Sequence, residues 1–77
     1  MHEWLDDAAA RLAAATGDER AVYELTAEEQ RALLELARVA AHDSGSRVNA
    51  PLVTFLAGVA RGRHPERPLP DLLSELG

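Results

Sequence analysis

The chain has 77 residues, no cysteine and a formal net charge of −5. A chain this short buries only about 60% of its unfolded surface, and it has neither a disulfide nor a Cys/His zinc cluster to compensate, so one small domain over residues 1–77 is expected, with stability that is marginal or shared with a partner. Residues 1–43 hold ten acids against four arginines and residues 44–77 three against four; that field repels nucleic-acid phosphate and anionic lipid over most of the surface, so neither is expected as a partner.

From the N-terminus, Trp4, Leu5, Ala8, Leu12 and Ala15 recur at helical spacing and predict an amphipathic helix over residues 2–16. Gly17 is its expected left-handed terminator. Asp18 to Leu25 reads as a connector whose Val22 and Leu25 touch the core. Thr26-Ala-Glu-Glu29 has the capping-box spacing, so a second helix starts at Ala27. Its apolar arc is Leu33, Leu36, Ala37, Ala40 and Ala41, opposite a stripe of Arg31, Glu35, Arg38 and His42. Ser44 and Gly45 end it.

Pro51 suits the first turn of a third helix, where a missing N–H costs nothing, and Asn49 is the expected cap. Leu52, Phe55, Leu56 and Val59 make its main apolar face, with Phe55 and Leu56 assigned to the core. The reverse face, Thr54, Ala57 and Gly58, is small, which points to close approach of another backbone within the chain or to a homodimer interface. Gly62 ends this helix, HPERPLP is a loop, and Pro70 to Leu76 forms a short fourth helix returning Leu72, Leu73 and Leu76 to the core. No segment alternates as a strand does. The expected class is all-α: a compact bundle or orthogonal array of three main helices plus a short C-terminal one.

The order Leu36-Ala37, Ala41-His42, Arg47, Ala50-Pro51-Leu52, Thr54-Phe55-Leu56, Gly58 and Ala60 resembles an uncharacterised, mainly actinobacterial helical family. It is also similar to the tail domain appended to some molybdenum-cofactor guanylyltransferases. The resemblance spans roughly residues 2–62 and is sharpest over 33–60. Val48, Asn49 and Val53 depart from the family's usual elbow, which has proline, alanine and threonine there. The absence of lysine and isoleucine fits the GC-rich coding of such an origin. The family has no defined activity, so the resemblance implies an association with molybdenum-cofactor metabolism, and a partner among its biosynthetic proteins, rather than a mechanism.

The residues themselves offer one candidate ligand site. His42, Arg47 and Asn49 flank the elbow before the third helix, whose positive dipole end suits a phosphate or carboxylate. The plain alternative is an ordinary helix end with a solvated arginine and a capping histidine. His2 and His64 share no ligand spacing with His42, so no metal is expected, and no cofactor motif is present. Trp4 and Tyr23 are read as structural.

A helix-turn-helix reading fails because the third helix has no basic or amide side chain between Pro51 and Ala60. Arg61, Arg63, His64 and Arg67 form one short basic cluster. Asp43-Ser44 resembles the Asp-Ser of acyl carrier proteins, but Gly45 stands where carriers have leucine and Ser44 ends a helix instead of starting one. No paired carboxylate, activated nucleophile or metal cluster is legible, so no enzyme is expected. The longest apolar run, Ala50 to Ala60, falls short of the roughly 20 residues that span a bilayer, and MHEWLDD has acids where a signal peptide has positive charge, so a cytoplasmic location is expected. The role that follows is a non-enzymatic helical accessory or interaction module; an acyl-carrier-like protein modified at Ser44 and a ligand-free structural homodimer are the alternatives.

Overall fold

The computed structural model describes residues 2–76, the side chain of His2 excepted. It is all-α, as the periodicity predicts. In order come α1 (His2–Thr16), a 3₁₀ turn Arg20–Tyr23, α2 (Ala27–Asp43), α3 (Asn49–Arg63), α4 (Leu69–Leu73) and a closing 3₁₀ turn Ser74–Leu76.

Local chemistry sets these boundaries. The Thr26 hydroxyl accepts the Glu29 N–H at 3.0 Å and the Glu29 carboxylate accepts the Thr26 N–H at 2.9 Å, completing the predicted capping box at the start of α2. Gly17 and Gly45, at φ of +78° and +76°, close α1 and α2 in the left-handed conformation that a Cβ disfavours. The exposed stripe of α2 is as predicted. On it, a hydrogen bond from Arg38 Nε at 3.2 Å and the adjacent guanidinium charge hold the Glu35 carboxyl below its ordinary range.

The core lies between α2, α3 and α4. Leu36, Ala57, Leu69 and Leu73 are buried in it, and Ala32, Leu33 and Val53 pack around them. Arg61 Nη2 lies 3.8 Å from Glu29 Oε2, tying the end of α3 to the start of α2, as antiparallel neighbours require. α1 packs chiefly on the Arg20–Tyr23 turn, with Asp6 paired to Arg20 and the Thr16 and Tyr23 hydroxyls 3.2 Å apart, and its buried residues are Ala9 and Ala13. Among the described residues no helix is long and apolar enough to cross a membrane.

Four sequence expectations about the core are corrected, the first being that of the connector, whose Val22 and Leu25 are exposed and stand outside the core cluster. Phe55 and Leu56 are not core residues: they are 70% and 63% exposed, and the side carrying Val53, Thr54, Ala57 and Ala60 is turned inward instead, with Gly58 left exposed. Close approach of α2 and α4 to α3 leaves room for Ala57, not for a phenylalanine. In α1 the same exchange occurs, since Leu5, Leu12 and Trp4 remain exposed while the buried residues are alanines. At the C-terminus α4 starts at Leu69, inside the expected loop, and Leu69 at 4% is the most exposure-protected leucine; Leu76, at 49%, is not returned to the core.

Candidate functional site: the elbow and the outward face of α3

The elbow is built around Ser44. Its hydroxyl donates to the Ala40 carbonyl and accepts Asn49 Nδ2–H at 2.9 Å, so the Asn49 amide spans the turn from α3 back to the end of α2. Asn49 is therefore not the cap expected of it: α3 begins at Asn49 itself, with Val48 before it and no side-chain cap. The first-turn donors are also engaged, Asn49 N–H with the Ser46 carbonyl and Ala50 N–H with the Arg47 carbonyl, each at 3.2 Å. Pro51 has no N–H. The backbone of this helix start thus offers an anion little, and the chemistry left to the elbow is that of two exposed side chains, the Arg47 guanidinium and the His42 imidazole.

Ser44 is poorly placed to carry a prosthetic group. It is the C-cap of α2, its hydroxyl is bonded within the turn, and left-handed Gly45 follows it.

Beyond the elbow α3 is apolar all round. Its inward side carries Val53, Thr54, Ala57 and Ala60, half-buried or buried; the Thr54 hydroxyl bonds to the Pro51 carbonyl at 2.9 Å. Ala57, 3% exposed, belongs to the intrachain core, whereas Gly58 has open space beside it, and nothing lies within 4 Å of where a Cβ would stand. On the opposite side Val48, Leu52, Phe55, Leu56 and Val59 form a continuous exposed stripe. Leu56 also borders an apolar groove of about 270 Å³ against Leu72 and Leu76, edged by Glu75. A helix hydrophobic on both sides is ordinarily covered on both. Here one side is bare.

Some of the other charged groups are paired locally. Of the basic cluster, Arg61 turns to Glu29 and His64 Nδ1 lies 3.7 Å from Glu66, leaving Arg63 and Arg67 on the surface. A cleft of about 420 Å³ opens between α1, the first 3₁₀ turn and the start of α2. Sequence reading missed it because its walls are residues of a connector. Arg20 there faces two carboxylates, Asp6 at 3.3 Å and Glu24 at 3.9 Å, so the cleft is net acidic and unsuited to an anion. Beside it Tyr23 donates to Asp18 at 2.7 Å, a structural contact. Among the described residues no three His, Asp or Glu side chains gather as metal ligands would.

A family model described as a domain of unknown function, DUF6457, matches residues 1–76. No curated protein and no solved structure matches the chain.

Proposed function

From the premise that this chain belongs to the DUF6457 family, we propose that it is a non-catalytic helical interaction module, working in the cytoplasm, that docks through the outward face of α3. The observation that carries this reading is the stripe of Leu52, Phe55 and Leu56, each at least 60% exposed on a helix whose other side is already in the core. Apolar surface concentrated on one face stabilises nothing in the isolated chain and is strongly favourable when a partner removes it from water. Arg47, exposed just before the same helix, adds charge at the rim, where it steers encounter more than it holds the complex, and His42 stands exposed in the last turn of α2.

The partner class comes from the resemblance of residues 33–60 to the tail of molybdenum-cofactor guanylyltransferases. In this reading a transferase of that class, or another protein of molybdenum-cofactor biosynthesis, is what the module serves. Titration calorimetry of the chain against the transferase of the same cell tests it. Wild type should bind, Phe55→Glu should abolish binding, and Arg47→Ala should weaken it several-fold with a smaller dependence on salt. No binding by wild type removes the molybdenum-cofactor link; binding indifferent to Phe55→Glu removes the α3 face.

A further inference from the structure

We infer that in the free protein the outward face of α3 is covered by α1 of a second copy of this chain, in a two-fold dimer where each copy gives one α1 and one α3. The inference rests on reading that face as a docking surface and names its resident occupant. A molybdenum-cofactor partner would have to displace it.

Surface area supplies the first argument. The chain exposes 5931 Å², whereas a compact monomer of 8.3 kDa is expected to expose about 4,600 Å². The excess, about 1,300 Å² per chain, exceeds the roughly 800 Å² that each partner buries in a standard stable interface. The radius of gyration agrees, at 13.0 Å against about 11.5 Å for a compact chain of this length.

Charge selects which element of the second copy fits. From Ser44 to Pro65 there is no acidic residue, and Arg47 and Arg63 stand at the two ends of the α3 stripe. Pairing α3 with another α3 would bring arginines together at both ends, in either orientation. α1 is the complement. It is the same length, 15 residues in each case. It also carries an unburied apolar side, Trp4 at 78% and Leu12 at 51% exposed. Glu3 and Asp7 sit beside Trp4 in its first turns, two carboxylates against the single guanidinium of Arg11 on that side. Laid antiparallel on α3, α1 puts Glu3 within a turn of Arg63, sets Trp4 near Val59 and Leu12 near Leu52, and opposes the two helix dipoles favourably. α1 need not leave its own 3₁₀ turn, because the side chains bonded to that turn, Asp6 and Thr16, lie on the far side of the helix from Trp4. Reciprocity makes the interface isologous and closed.

The test uses the full chain. Sedimentation equilibrium at micromolar concentration should give twice the 8.3 kDa chain mass. Phe55→Glu should weaken the dimer by about 100-fold or more without loss of helical circular dichroism, because Phe55 touches little in its own chain. Trp4→Glu, on the other half of the contact, should repeat that loss. Lacking cysteine, the chain also allows a clean cross-link: Leu12→Cys mixed with Leu52→Cys should oxidise to a mixed covalent dimer far faster than either variant alone. A wild-type monomer overturns the inference, as does a ladder of higher oligomers, a dimer indifferent to both glutamates, or Leu52→Cys alone cross-linking as fast as the mixture. A monomer that still binds the transferase through Phe55 would overturn the second copy and leave the docking face standing. A dimer with these contacts that ignores the transferase would leave the inference standing and remove the molybdenum-cofactor reading.

Discussion

A side chain in so small a domain contributes in proportion to what its own chain covers. Leu69 is held by Leu36, Ala57 and Leu73 with 4% of its surface left to solvent. Truncating it removes both transfer free energy and the packing of three helices on one another. Leu69→Ala should cost about 2–5 kcal/mol, enough to unfold much of a marginal population. Phe55, although the only phenylalanine, is 70% exposed, and in the monomer Phe55→Ala should change stability by no more than about 0.5 kcal/mol. Urea denaturation of both variants in dilute solution, where no dimer forms, measures the contrast. Equal losses would mean that the outward face of α3 is covered within the chain.

Among the elements, α2 is the one whose ends are best specified by local chemistry. Its capping box satisfies two backbone donors at one end, and left-handed Gly45 closes the other. Since α2 packs on both α3 and α4, fraying at its start also loosens the Glu29–Arg61 tie to the end of α3. Thr26→Ala should therefore cost about 1 kcal/mol, seen as a lower denaturant midpoint at unchanged slope. A fall in slope instead would mean that α2 frays in the native state. α1 is anchored differently, by its contact with the 3₁₀ turn, where the Thr16 and Tyr23 hydroxyls are bonded at 3.2 Å and Arg20 makes an exposed ion pair with Asp6. Such a pair adds little in water, so α1 depends on whatever meets its outer side.

For the whole molecule, bare faces on α1 and α3 make folding and association one problem. If the faces meet across two copies, native protein is favoured by mass action, and the thermal midpoint should rise as protein concentration rises. Calorimetric melts across a wide concentration range check this. A midpoint independent of concentration would mean that the core of α2, α3 and α4 suffices alone. That core has few large side chains, only Leu36, Leu69 and Leu73 being buried leucines, which is why a concentration-dependent midpoint is expected.

The amino-acid order by itself determined the helical class, the capped start of α2, its polar stripe and the stops at Gly17 and Gly45, because each depends on interactions within a turn or two of chain, whereas the stop expected at Gly62 fails, α3 running on to Arg63. It also marked the elbow, although not that Asn49 and Ser44 would bond to each other there. Which side of α3 enters the core was not legible. Periodicity reports that both sides are apolar, and a wheel favours the larger residues, whereas close helix packing takes the smaller. The same competition hid Ala9 and Ala13 behind Leu5 and Leu12 in α1. Leu69 was missed because two flanking prolines make PLP read as loop, while Pro70 in fact sits in the first turn of α4, where its missing N–H is harmless. Tertiary structure decided these points, since the distance between helix axes is a property of the whole packing and no local pattern encodes it.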